Sequence, residues 1–213
     1  MGRILAEELG VPVFDKEIMH MAMEKSGMSE TFVAKYGESV PNKLKQNLHR
    51  ISVNVPSIRI PSGYNSAVAA ARTLDMSGDN RSEADKLHFA QASIIREIAV
   101  MGACVIIGRC ASFVLREHAE LLSVFIRGNL DDRVRRAVDT YNLTGKNVVA
   151  EVKKIDKHRA NYYKFYAGKQ WGSVDNYDLM INTSYTDIMG AVCVIKAMVN
   201  AKKRTDYEHV RQG

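Results

Sequence analysis

The sequence predicts an α/β fold in which a parallel sheet is covered by helices on both faces. Three observations lead there. Four short apolar runs, Val11–Phe14, Ala103–Ile107, Leu121–Ile126 and Leu179–Asn182, recur along the 213 residues. Longer segments with apolar residues at three- and four-residue intervals separate them, the period of a helix with one buried side. The runs are apolar throughout instead of alternating, as in parallel strands with helices on both faces.

The elements follow in order. Gly2–Leu9 has apolar residues at helical spacing, and Gly10 is placed to end it in a left-handed cap. Val11–Phe14 is a strand, and Asp15 is placed as the N-cap of a helix running to about Ser26. A short helix is expected from Ser29 to Tyr36. From 37 to 80 the pattern dissolves around Pro41, Pro56 and Pro61, marking an irregular, functional segment. Arg81–Met101 reads as an amphipathic helix with Leu87, Ile94, Ile95, Ile98 and Ala99 inward. Ala103–Ile107 and Leu121–Ile126 are strands expected to be buried on both faces, with a short helix Ala111–Arg116 between them. Helices at Leu130–Tyr141 and Asn147–Tyr166, a strand at Leu179–Asn182 and a helix at Asp187–Lys203 complete a single domain, 1–213.

Composition narrows the function. Hydrophobic residues make up 46% and charged residues 25%, which excludes disordered and collagen-like chains. No apolar run approaches membrane-spanning length, and Arg3, Glu7 and Glu8 interrupt any signal-peptide core. Cys104, Cys110 and Cys193 have no metal-ligand spacing, so reduced thiols and a cytoplasmic location are expected. The histidines show no metal spacing either. The net charge is +6, and residues 127–169 alone hold eleven basic against five acidic residues. A local excess of six equals that of the whole chain and points to a polyanionic partner.

In parallel sheets, ligands bind beyond the carboxyl ends of the strands. There the sequence offers Asp15, Lys16 and Glu17, then Gly108–Arg109, then Arg127–Gly128. Arg109 stands out, because a glycine before it lets the backbone turn and bring a guanidinium over the crevice, where it grips phosphate bidentately. Arg133 and Arg136 share a helix face, and Asp156 and Arg159 are also three apart on a helix. An Asp that orients an Arg toward a transferring phosphoryl group suits a reaction run by positioning and charge. The aromatic cluster Tyr162, Tyr163, Phe165, Tyr166 and Trp171 either stacks bases or packs on the sheet, with packing the simpler reading.

At these residues the chain resembles the cytidylate kinase-like family of nucleoside monophosphate kinase folds. The stretches that carry the resemblance are LAEELGVPVFDKEI (5–18), AQASIIREIA (90–99), ACVIIGRCASFVLR (103–116), DDRVRRAV (131–138) and IDKHRANYYKFYAGKQWGSVDNYDLMINTS (155–184). The resemblance implies a P-loop kinase-like sheet, a monophosphate-binding segment at 15–80, a lid at 141–170, and phosphoryl transfer from ATP with Mg2+ to a nucleoside monophosphate. It implies that Asp15, Lys16, Arg109, Asp156 and Arg159 hold the acceptor, and that Arg133 and Arg136 lie near the transferred phosphate and its donor. Cytidylate kinases proper carry Ser and Arg in the helix after position 15, near which this chain has Lys16 and Met21.

A larger departure is that no GxxxxGK[ST] loop occurs in these 213 residues. The family's first, central strand and its glycine-rich loop are missing, so we expect ATP binding to be weak and the chain as written to be inactive. It would then be a fragment lacking roughly 20 residues, the size of a strand plus a glycine-rich loop, with a gap or abnormal pairing between 103–107 and 121–126. The alternatives are a non-catalytic relative that binds nucleotide or protein, and a nucleic-acid-binding module. Nucleic acid ranks behind a nucleotide as partner, since the basic residues sit where a lid over phosphates needs them.

Overall fold

The computed structural model describes residues 1–27, 83–141, 143 and 147–212. The expected helix 29–36, the irregular segment 37–80 and three of the four residues at 143–146 lie outside the described residues. The elements run α1 (Gly2–Leu9), β1 (Val13–Phe14), α2 (Glu17–Ser26), α3 (Glu83–Met101), β2 (Val105–Ile106) and α4 (Ala111–Val114). Then come β3 (Val124–Arg127), α5 (Leu130–Asp139), α6 (Val148–Ala167), β4 (Leu179–Asn182) and α7 (Thr183–Gln212).

Among the described residues all strand pairing is parallel, as the apolar runs predict, but it falls into two separate two-stranded sheets. In the first, Val13 pairs with Val105 and Phe14 with Ile106. In the second, Val124–Arg127 pairs in register with Leu179–Asn182. The expectation that 103–107 and 121–126 are buried on both faces is corrected: Val105, Ile106, Val124, Phe125 and Ile126 are only half-buried. The physical reason is that β2 and β3 share no ladder, so each presents one edge and part of its apolar surface to a trench between them.

Each sheet has its own core. Phe14 of β1 packs with Ile18 and Ala22 of α2, Leu87, Ile94, Ile95 and Ile98 of α3, and Val114 of α4. The second core joins Leu5 of α1, Ile181 of β4 and Ala191, Val192 and Ile195 of α7. Leu87, Ile94, Ile95 and Ile98 are buried as the spacing predicted, Ala99 is only half-buried, and His88, Ala90, Gln91 and Ala92 are buried as well. Ion pairing adds to the α2–α3 contact: Lys25 Nζ lies 2.5 Å from Glu97 Oε1 and also donates to Ser93 Oγ.

Two local expectations change. Asp15 does not cap α2; Lys16 precedes the helix in helical geometry without a side-chain cap. Instead the Asp15 backbone N–H donates to Glu17 Oε2 at 2.9 Å, so the carboxylate closes the entry turn from inside the helix. The last helix begins four residues earlier than the periodicity suggests, at Thr183, but is interrupted at Asp187 (φ 53°, ψ −169°). Asp187 Oδ1 accepts from the Gly190 N–H at 2.7 Å, and so caps the regular helix that starts after it.

Candidate anion-binding site

β1 and β2 end side by side, because Ile107 N–H donates to Phe14 O at 2.9 Å. The two chains therefore leave the sheet together, one as Asp15–Lys16 and the other as Gly108–Arg109. Gly108, Arg109 and Cys110 follow one another with φ of 72°, 58° and 55°. A non-glycine residue in this left-handed region costs about 1–2 kcal/mol, and two in succession store strain directly at the strand end. The turn is locked by Ala111 N–H to Gly108 O at 3.0 Å and by Phe113 and Val114 N–H to Cys110 O at 2.9 Å. Arg109 and Cys110 both line a cavity, and Cys110 is buried against Tyr163 and Ala167.

The cavity is large, about 1660 Å3, and exceeds the roughly 300–1,000 Å3 of a small-molecule pocket. Its wall explains the size. Its basic lining residues are Arg3, Lys16, Arg109, Arg133, Arg136, Arg159 and Lys202, and its apolar lining includes Val105–Ile107 and Val124–Ile126, the sides of the trench. Asp15 and Glu120 are its acidic lining residues. Six of the seven residues chosen from the sequence (Asp15, Lys16, Arg109, Arg133, Arg136, Arg159) therefore line one space, although they come from four different segments.

The seventh, Asp156, does not line the cavity but controls a residue that does. The Asp156–Arg159 pairing expected from their spacing is not formed. Asp156 Oδ1 accepts instead from Arg133 Nη2 at 2.6 Å, across the α5–α6 contact. The i, i+3 geometry places Asp and Arg on neighbouring sides of α6, and α5 brings a nearer guanidinium to the acid. Among the described residues Arg109, Arg136 and Arg159 have no carboxylate within 4 Å. The Met1 amine is lowered by burial, reinforced by Arg136 and Arg3. Burial, reinforced by Arg3, pulls the Lys16 amine below its usual value against the opposing charges of Asp15 and Glu17.

The same cavity is lined by an aromatic wall of Tyr162, Tyr163, Trp171 and Tyr177, which packing explains only in part, since all four also face the cavity. Trp171 meets Phe125 edge-on at 5.2 Å. Gly172 (φ 74°) makes that approach possible, because a Cβ there would sit 3.1 Å from Phe125 Cζ. Tyr162 is fixed from behind: its hydroxyl shares a 2.8 Å hydrogen bond with Nδ1 of buried His88. His88 in turn stacks on Tyr166 at 3.7 Å, and Tyr166 donates to Asp85 Oδ1 at 3.1 Å. Burial lowers His88 to about 4, so it is neutral at physiological pH. Burial and the Asp85 contact raise Tyr166 to about 12.

Sequence reasoning missed Arg3 and Tyr177. Arg3 lies on a helix whose other residues read as packing, and only its place in the first turn, beside the strand ends, marks it. No group of three or more His, Cys, Asp or Glu among the described residues is arranged to hold a metal ion. No helix among them is long and apolar enough to cross a membrane.

Comparison with known proteins agrees with this architecture. An uncharacterized protein from Eubacterium ventriosum has a similar fold, with a TM-score of 0.60 at 23% identity over 94% of this chain and 89% of its own. None of the curated proteins matches this chain. The sequence profile of the cytidylate kinase-like family matches residues 1–185, which span both sheets, the basic cavity and its aromatic wall. The chain belongs to the cytidylate kinase-like family.

Proposed function

We propose that the cavity binds a nucleoside monophosphate and that the fold serves phosphoryl transfer to it. One observation carries this reading: Lys16, Arg109, Arg133, Arg136 and Arg159 line the same cavity as Tyr162, Tyr163, Trp171 and Tyr177. A phosphate ester satisfies the cations and a base stacks on the rings. In this reading Arg109 and Arg159 grip the acceptor phosphate, with Lys16 and Asp15 at its entrance. Asp156 orients Arg133 toward the phosphoryl group in flight, and Arg136, beside the start of α1, faces the donor. Such a reaction is catalysed mainly by positioning and by charge stabilisation.

The donor half does not fit the residues present. The sequence has no glycine-rich loop to cradle the phosphates of ATP. The split sheet supports a companion proposal: a further parallel strand belongs in the trench, where it pairs with β2 and β3 at once and joins four strands into a sheet of five. The absent loop also favours a second reading, a relative that binds nucleotide without transferring phosphate.

Calorimetric titration with the four ribonucleoside monophosphates tests the binding reading. Micromolar to millimolar affinity for at least one, lost in Arg109→Ala, is the expected result; no binding by any of them overturns it. Phosphate transfer from ATP·Mg2+, followed as ADP release, separates the kinase from the binding relative.

A further inference from the structure

α3 buries an ionisable side chain beside its apolar core residues. His88 is 6% exposed and follows Leu87, on a helix whose other buried residues include Ile94, Ile95 and Ile98. For packing alone an imidazole is a poor choice there, because its ring nitrogens lose water and need partners. The partner it finds belongs to another helix. Nδ1 lies 2.8 Å from the hydroxyl of Tyr162 on α6, and Tyr162 lines the cavity. Three residues earlier, about 4.5 Å along the same helix, Arg159 lines it too.

Asp85 and His88 are three residues apart on α3, and Tyr162 and Tyr166 are four apart on α6, so each pair shares a helix face. The two faces meet in two rungs. One is His88 to Tyr162; the other is Tyr166, whose hydroxyl donates to Asp85 Oδ1 at 3.1 Å. The rungs are linked, since the His88 ring lies flat on Tyr166, 3.7 Å away and 11° from coplanar, and Tyr166 leans on Tyr162 at 4.8 Å. The Tyr162 ring is thus held by a hydrogen bond at its tip and by another ring along its side. A ring set in advance loses less conformational freedom when a ligand settles on it. Trp171 and Tyr177, by contrast, rest on Phe125 of β3.

We propose that His88 is a positioning residue for the base of a bound nucleoside monophosphate: it holds the Tyr162 ring in the cavity wall, where the base stacks while Arg159 takes the phosphate. The proposal rests on the nucleotide reading and adds to it which ring meets the base and what aims that ring. In this role His88 acts through the Tyr162 hydroxyl and makes no contact with the ligand. A purely structural His88 would brace α6 as a whole, Arg159 included, and would matter equally to every ligand of the cavity.

The test is calorimetric titration with the ribonucleoside monophosphate that the parent binds most tightly, and with ribose 5-phosphate, which has the sugar and phosphate but no base. His88→Leu should weaken the monophosphate by roughly 2- to 12-fold, the worth of one hydrogen bond, and leave ribose 5-phosphate unchanged. Tyr162→Phe removes only the hydroxyl and should cost the same. Adding His88→Leu to Tyr162→Phe should cost nothing more, the non-additivity of two groups that act as one. His88→Asn, whose amide reaches the place of Nδ1, should restore part of the loss. Tyr162→Phe carries the test alone if His88→Leu does not fold. Unchanged monophosphate affinity in either single variant overturns the proposal. So does an equal loss for ribose 5-phosphate, which would make His88 a brace for α6. Both results leave the nucleotide reading standing, whereas a parent that binds none of the four monophosphates overturns that reading and this proposal together.

Discussion

Arg109 pays a conformational cost for its position, and that cost makes a sharp experiment possible. Its φ of 58° suits glycine better than any other residue. In ordinary backbone, introducing glycine destabilises by roughly 0.5–1 kcal/mol; here the strain relieved, about 1–2 kcal/mol, is at least as large. Arg109→Gly should therefore leave the melting temperature unchanged or raise it, while monophosphate affinity falls by roughly 10- to 150-fold, the worth of a charged hydrogen bond. Arg109→Ala should lose the same affinity without the gain in stability. The pair of melts and titrations separates strain from binding. Arg109 was legible in the sequence because a Gly-Arg step after an apolar run has few other uses. The true partner of Asp156 was not, since pairing across two helices depends on their docking and not on spacing.

At the scale of the element, α6 is clamped to α3 at one point by the His88–Tyr162 hydrogen bond and the stacked Tyr166, and to α5 by Arg133–Asp156. The first clamp requires a neutral imidazole. A folded-state pKa of about 4 against an ordinary 6.5 means that the unfolded chain binds the extra proton between those values. Stability contributed by neutral His88 is thus fully present above pH 6.5 and is lost as pH falls toward 4, by an amount on the order of 3 kcal/mol. Urea titrations between pH 7 and 4 should show this slope, and His88→Gln should flatten it. The second clamp predicts ligand response: monophosphate bridging Arg109 and Arg159 ties α6 to the strand ends, so amide exchange in Val148–His158 should slow at saturating ligand. Periodicity located α3 and α6 almost to the residue, because each buries a stripe against a neighbour. Strand lengths were overestimated, since an apolar run measures what is to be buried and not how much backbone finds a partner.

For the whole molecule, the division into two sheets sets which amides are protected. Val105 and Ile107 donate to Pro12 O and Phe14 O at 2.9 Å. The alternate amide, Ile106, points away from β1 toward the trench. It should exchange with solvent much faster than its two neighbours, and become protected when an added apolar strand peptide occupies the trench. Equal protection of 105, 106 and 107 in the chain alone would show the trench to be closed. The parallel α/β class was legible from uniformly apolar runs; the gap between 103–107 and 121–126 was expected from the missing glycine-rich loop and is found as two separate sheets, whereas the residues of β2 and β3 themselves have the composition of interior strands.

The same division has a kinetic side. Pairing β1 with β2 closes a loop of 92 residues (13 to 105), and pairing β3 with β4 closes one of 55 (124 to 179). Loop-closure entropy separates these by only about 0.5 kcal/mol, so neither half is strongly favoured to nucleate first. With no ladder between them and a separate core under each, the halves have the makings of two foldons, joined chiefly by α1, whose Leu5 belongs to the second core while Gly10–Pro12 leads into the first sheet. The two halves should then refold at comparable rates that merge into one apparent phase, and Leu5→Ala, which weakens the second core alone, should split it into two.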